Sequence, residues 1–184
     1  MTNVLAINSS HRKNGCTKRA LDIFLEGISP AQVERIDLID LEIAYCRGCM
    51  FCRQSQGNCI QKDDMEKLVN AYIPANIIVL GAPVYYNTVT SVLKTVIDRS
   101  IALHYSKKIK MQNPKTKKMV VLAPGAGQYS NQYRSFQDVL EFYVQDLNAE
   151  MTDFVRMPKL GLRLDADIEP YRKDILIAAK RSLR

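Results

Sequence analysis

Apolar positions along the chain fall into five short runs, each followed by a stretch of helical periodicity. Asn3 to Asn8 (NVLAIN) is a β-branched run that ends in the polar cluster Asn8-Ser9-Ser10. From Cys16 to Gly27 the apolar residues Ala20, Leu21, Phe24 and Leu25 share one helical face, with Gly27 as the stop. Val33 to Leu38 reads as a second strand. A Cys-rich stretch follows, and Lys62-Asp63-Asp64 opens a helix through Tyr72 whose acidic first turn suits the helix dipole. Asn76 to Gly81 (NIIVLG) is apolar on both faces, as a strand at the centre of a parallel sheet must be. Thr90 to Ile101 reads as a helix with Val92, Leu93, Val96 and Ile97 inward. Lys118 to Ala123 is the fourth strand, and Ser130 to Leu147 a long helix. Ala149 to Met157 is the fifth strand, and Pro170 to Leu183 a closing helix with Pro at its start.

Strands alternating with helices at this spacing predict an α/β fold, an open parallel sheet with helices on both faces. No Pro/Gly/Ser-rich linker, internal repeat or low-complexity segment interrupts residues 1–184, so one domain is expected, with a Cys-rich loop at 46–59. Right-handed crossovers bring every strand-to-helix loop to one sheet edge, where ligands bind near the topological switch point. That edge collects residues 8–17, 40–62, 82–89, 123–130 and 157–169. The chemically unusual residues are concentrated there.

Composition narrows the setting. The chain carries 26 Lys and Arg against 19 Asp and Glu, a formal charge of +7, and is 47% hydrophobic and 24% charged, which excludes wholesale disorder. No apolar run approaches the ~20 residues that span a bilayer, and MTNVLAINSS shows no secretory signal. A cytoplasmic location without membrane contact is expected, with the five Cys as thiols or metal ligands rather than disulfides. The positive charge leaves open nucleic acid, anionic cofactors and acidic protein partners.

Three loops carry candidate chemistry. The first, Asn8-Ser9-Ser10-His11-Arg12-Lys13-Asn14-Gly15-Cys16-Thr17, offers hydroxyls, cations and a helix N-terminus to a terminal phosphate; a plain N-capping turn with solvated basic residues is the alternative. It is neither G-x-G-x-x-G nor a Walker A loop, and no Cys has the Arg six positions later that a tyrosine-phosphatase-like loop needs. In the second, Gly81-Ala82-Pro83-Val84-Tyr85-Tyr86-Asn87-Thr88, two adjacent tyrosines on a Pro-fixed turn either flank a planar ring or pack beneath the loop. The third, Ala123-Pro124-Gly125-Ala126-Gly127-Gln128, has little bulk and lets backbone approach a ligand closely. A receiver domain shares this topology but needs acidic residues after the first and third strands to hold Mg²⁺. Asn8-Ser9 and Ala82-Pro83 stand there instead.

Cys46, Cys49, Cys52 and Cys59 form C-x2-C-x2-C-x6-C. Thiolates at successive three-residue steps can wrap an inorganic cube such as [4Fe-4S]. Structural zinc, redox-active disulfides and reduced thiols are the other uses of the pattern. Arg47, Arg53 and Lys62 would offset the charge of a thiolate-bound cluster, while Cys16 stands apart as a small packing residue. Lys107, Lys108, Lys110, Lys115, Lys117 and Lys118 form either a solvated loop or a docking surface. No aromatics interleave with these lysines, so nucleic acid is not an expected partner. His104 reads as a loop or subunit-contact residue.

Taken together, the motif from Ser9 to Thr17, the four-Cys motif with Asp63-Asp64-Met65, Ala82-Pro83-Val84-Tyr85-Tyr86, Leu93-Lys94 and Ile97-Asp98-Arg99-Ser100 resemble the flavodoxin-like NADPH-dependent FMN reductases. Within them the chain is most similar to the iron-sulfur flavoproteins of anaerobic microbes. The resemblance covers residues 3 to about 130 well, and the last third only in element order. It implies a flavodoxin-like five-stranded sheet in the order 2-1-3-4-5, with FMN at the strand ends. It implies phosphate contacts from Ser10, Arg12 and Thr17 with backbone of Lys13, Asn14, Gly15 and Cys16. Ring contacts would come from Pro83, Val84, Tyr85, Tyr86 and Asn87, with Pro124, Gly125, Ala126 and Gly127 closing the site. Lys94, Asp98 and Arg99 match a helix motif read as structural. Ser9-Ser10-His11 departs from the family's usual Gly-Ser-Pro, which puts His11 at the phosphate or in water. The implied function is electron transfer between FMN, a [4Fe-4S] cluster and an external partner, either a ferredoxin-like donor or a small-molecule acceptor. A cluster-free NAD(P)H-dependent FMN or quinone reductase is the alternative. The family also implies a homodimer or homotetramer.

Overall fold

The computed structural model describes residues 2–106, 111–112, 116–129, 131–161, 163 and 165–184. Five parallel strands, β1 (Asn3–Asn8), β2 (Gln32–Asp37), β3 (Ile77–Gly81), β4 (Lys117–Pro124) and β5 (Ala149–Met157), form one sheet in the order 2-1-3-4-5. Strand β1 runs in register with β2 from Asn3↔Gln32 and with β3 from Val4↔Ile77. The chain leaves β1 first toward β2 and then toward β3, which makes the end of β1 the switch point.

The described helices are α1 (Cys16–Glu26), α2 (Phe51–Gln54), α3 (Met65–Tyr72), α4 (Ser91–Arg99), α5 (Ile101–Tyr105), α6 (Arg134–Asp146) and α7 (Arg172–Ser182). Alternate residues of the central strands feed two cores. Leu5, Ile7, Ile78, Leu80, Met119 and Val121 pack under Leu68 and Tyr72 of α3, Leu93 of α4 and Phe136 of α6. Val4, Ala6, Ile77, Val79, Val120 and Leu122 pack under Leu21 and Phe24 of α1 and Ile175 of α7. Burial on both faces accounts for continuous apolar runs in these strands. At the edge, β2 (QVERID) is largely exposed and carries charges that discourage further strand pairing.

Several boundaries differ from the sequence expectation. The helix expected over Thr90 to Ile101 ends at Arg99: the Ser100 N–H is shared between the Val96 and Ile97 carbonyls at 2.9 and 3.1 Å, and α5 starts after it. His104 therefore lies in a helix rather than a loop, 3.1 Å from Asp146. Pro170 belongs to a 3₁₀ turn, Glu169–Tyr171, that precedes α7. A short helix, α2, lies within the Cys-rich loop.

Lys117 is a correction to the basic-cluster reading. Its side chain is buried, and Nζ donates to the Ile73 and Ala75 carbonyls at 3.1 and 2.9 Å, closing the turn after α3. Burial pushes its ammonium down to about 8. Lys118 pairs with Glu150 at 2.9 Å. Lys107, Lys108, Lys110 and Lys115 lie outside the described residues. Among the described residues no helix is long and apolar enough to cross a membrane.

Candidate functional site

The loop after β1 is fastened before it reaches α1. Ser9 donates to the Gly81 carbonyl through its backbone N–H (2.9 Å) and its hydroxyl (3.1 Å). Asn8 Oδ1 accepts from the Ser10 N–H, and Ser10 Oγ accepts from the Arg12 N–H, both at 3.0 Å. Thr90, at the N-cap of α4, donates to the Ser9 carbonyl at 2.9 Å and accepts from the Leu93 N–H. Gly81 lets β3 pass directly beneath the start of α1: a Cβ there would stand 2.7 Å from Thr17 Cγ2. At the N-cap of α1, Gly15 provides no side-chain acceptor. The first-turn N–H groups, flanked by the buried Ser10 and Thr17, therefore lack a side-chain cap, the arrangement by which a helix N-terminus can receive an anion.

The loop after β3 is a tight two-stranded turn. Tyr85 and Thr88 exchange backbone hydrogen bonds at 2.9 Å, and Tyr86 and Asn87 between them hold φ of 48° and 61°. Consecutive left-handed residues make this a hairpin-type turn maintained against strain. Tyr86 is wholly exposed, so the pair does not pack beneath the loop. His11 stacks on Tyr85 with ring centroids 5.9 Å apart and lies 3.4 Å from the Ser91 hydroxyl. The loop after β4 is pinned on both sides: Val84 N–H donates to the Pro124 carbonyl, Gly125 N–H to Met157, and Leu160 N–H to Gly125.

These loops enclose one cleft of about 650 Å³ at the C-terminal edge of β1, β3 and β4. Every residue predicted from sequence for the phosphate, ring and glycine loops lines it except Lys13 and Asn14. Lys13 turns outward to Asp40 at 2.6 Å, and that carboxylate holds its ammonium above the usual range. Sequence reasoning missed Tyr129, Gln132, Leu160, Gly161 and Arg163, which complete the wall. The last three lie in the post-β5 loop that topology assigns to this edge, but they carry no motif.

A second, smaller cavity of about 40 Å³ is lined by all four motif cysteines together with Arg99. Cys52 is buried, Cys46 and Cys59 are partly buried, and Cys49 is exposed. Burial pushes the Cys52 thiol up, and negative charge on Cys59 or Cys46 acts in the same direction. Gly48, Met50, Gln56 and Gly57 take left-handed backbone, which curls the loop around the cavity. Asp63 anchors its base. The carboxylate accepts from Arg99 Nη1 at 2.6 Å and Nη2 at 3.0 Å, and from the Ala44 and Met65 N–H groups. Burial opposes the charge of Asp63, and these bonds outweigh it, so its carboxyl lies below the usual range. Among the described residues no three His, Cys, Asp or Glu side chains converge on a single metal ion. A [4Fe-4S] cluster takes one thiolate at each of its four irons, so its cysteines need not meet at one ion, and all four motif cysteines line the same cavity.

Residues 2–151 match the family model described as NADPH-dependent FMN reductase. The chain belongs to the NADPH-dependent FMN reductase family. Over 99 residues it is 36% identical to an iron-sulfur flavoprotein of Archaeoglobus fulgidus, covering 53% of this chain and 44% of that protein. An iron-sulfur flavoprotein of Methanocaldococcus jannaschii is 30% identical over 146 residues, 77% of this chain and 70% of its own. The chain spans about half the length of the Archaeoglobus relatives it matches, 44% and 48%. The FMN-dependent NADH-azoreductase of Bacillus anthracis, solved with FMN, superposes over 100% of both chains with a TM-score of 0.72 and 17% identity, a likeness of fold. The family's FMN reductase fold thus accounts for the sheet order and for a cleft at the β1/β3 switch point.

Proposed function

We propose that the chain binds FMN in the 650 Å³ cleft and serves as a redox protein of the iron-sulfur flavoprotein type. In this reading electrons pass between FMN, a [4Fe-4S] cluster on Cys46, Cys49, Cys52 and Cys59, and an external partner. The observation that carries it is the convergence of three sequence-distant loops on a cleft with an uncapped helix N-terminus at one end and a tyrosine turn at the other. When bound, FMN supplies hydride and electron-pair chemistry and the cluster single-electron chemistry.

The chain's part is placement. Ser10, Thr17 and the first-turn N–H groups of α1 receive the terminal phosphate, and Arg12 adds charge. Backbone of Val84 to Asn87 meets the polar edge of the ring, and Gly125 and Gly127 admit close approach. Electron donors of ferredoxin type, small-molecule acceptors, a cytoplasmic setting and assembly as a homodimer or homotetramer belong to the same proposal. A cluster-free NAD(P)H-dependent FMN or quinone reductase is the second reading. It is favoured by the family model matched over residues 2–151, described as NADPH-dependent FMN reductase.

Two measurements test the proposal. FMN titration of the apoprotein, followed by flavin fluorescence, is expected to weaken at least tenfold on combining Ser10→Ala with Thr17→Val; unchanged affinity contradicts the phosphate assignment. Negligible NAD(P)H turnover with a dye acceptor, together with rapid reduction by ferredoxin, supports the electron-transfer reading. Brisk turnover by an iron-free preparation supports the second.

A further inference from the structure

The residue that joins the two cavities' scaffolds is Arg99. Helix α4 starts at Thr90, bonded to the phosphate loop, and ends about 13 Å away at Arg99, in the wall of the Cys cavity. Arg99 is 2% exposed although it carries a charge. Both terminal nitrogens are anchored: Nη1 donates to Asp63 Oδ2 and to the Ala44 carbonyl, and Nη2 donates to Asp63 Oδ1. Asp63 is held in turn by the Ala44 and Met65 N–H groups, so the carboxylate cannot swing and the guanidinium plane is fixed. Nε is a buried donor with no hydrogen-bond partner among the described residues. Native proteins rarely leave such a donor unmet, and its neighbour in the cavity is Cys59, whose negative charge favours the arginine's own.

Resting on the iron-sulfur reading, we propose that Arg99 is a positioning residue of the four-Cys site that directs its buried Nε–H at the Cys59 sulfur and thereby raises the site's reduction potential. Hydrogen bonds to cluster sulfurs are among the determinants of such potentials, because they stabilise the more negative, reduced state. Asp63 neutralises the guanidinium overall, so the effect is that of an oriented dipole whose positive end meets the cavity. Arg47 and Arg53 are exposed, and their charges act through screening solvent. The contribution of Arg99 is shielded from water.

The test uses the anaerobically purified full chain with its FMN and iron, and reads the iron-sulfur potential by EPR-monitored titration with the flavin potential as internal reference. Arg99→Lys keeps a charge but removes Nε–H from its fixed place. The double variant Arg99→Met with Asp63→Asn removes the ion pair without stranding a charge. Both are expected to retain iron and FMN while the iron-sulfur potential falls by at least a tenfold change in the one-electron equilibrium, about 59 mV. The flavin potential should stay constant. An iron-sulfur potential within twofold of wild type in both variants overturns the assignment while leaving the cluster reading intact. If either variant fails to fold, ¹⁵N-arginine labelling of Arg47→Lys/Arg53→Lys protein decides the matter. Pulsed EPR is then expected to show coupling from the reduced centre to an arginine nitrogen, and its absence overturns the proposal. A wild-type protein that carries no iron defeats the cluster reading itself, a result distinct from either.

Discussion

Arg99 and Lys117 are the buried cations among the described residues, and each is explained by partners far away in sequence. For Lys117 the consequence is a pH dependence. Between about pH 8 and 10.5 the folded chain holds fewer protons on this amine than the unfolded chain does. Wild type should therefore gain stability relative to Lys117→Met as pH rises through that window, by on the order of 2–3 kcal/mol. Urea denaturation of both proteins at pH 7.5 and 10.5 measures the difference, and a flat one contradicts the burial argument. For the Arg99–Asp63 pair, Asp63→Ala leaves a buried guanidinium unmatched and should cost about 3–5 kcal/mol in the same assay. Neither role was legible locally. Lys117 stands in a run of lysines, and only the Ile73 and Ala75 carbonyls, brought in by the turn before β3, distinguish it from Lys118. Lys13 shows the converse: a phosphate-loop cation by position, it is drawn outward by Asp40 after β2.

At the scale of elements, the strands were the most legible part. β1 and β5 occupy the ranges their apolar patterns predict, because burial on the sheet faces is written residue by residue. Helix ends were less legible, since they depend on local capping geometry: Ser100 is at once the C-cap of α4 and the N-cap of α5. Site loops were legible where they carried a motif and obscure where they supplied only wall, as Leu160, Gly161 and Arg163 do. The close contact of β3 with α1 predicts that Gly81→Ala, which places Cβ 2.7 Å from Thr17 and 2.9 Å from Leu21, costs about 1–3 kcal/mol. Because the same shift moves the N-terminus of α1, FMN affinity should fall with it. Thermal melts and flavin titration check both, and loss of stability without loss of affinity contradicts the coupling.

For the whole molecule, alternation of strands and helices made the α/β class readable, while the strand order 2-1-3-4-5 came from the family resemblance and is the order observed. That order places the cleft at one edge and joins it to the Cys loop through α4. The chain's cations take different places: Arg12 lines the cleft, Arg99 is paired with Asp63 in the wall of the Cys cavity, and Lys117 is buried inside the fold. If FMN occupies the cleft, adding it to apoprotein at one hundred times its Kd should stabilise the fold by about 2.7 kcal/mol, visible as a rise in Tm. The most direct test of the central claim is iron, sulfide and FMN analysis of anaerobically purified protein. Four irons and one FMN per chain are expected, with Cys49→Ala abolishing the iron and sparing the flavin; a yellow, iron-free protein would contradict the account.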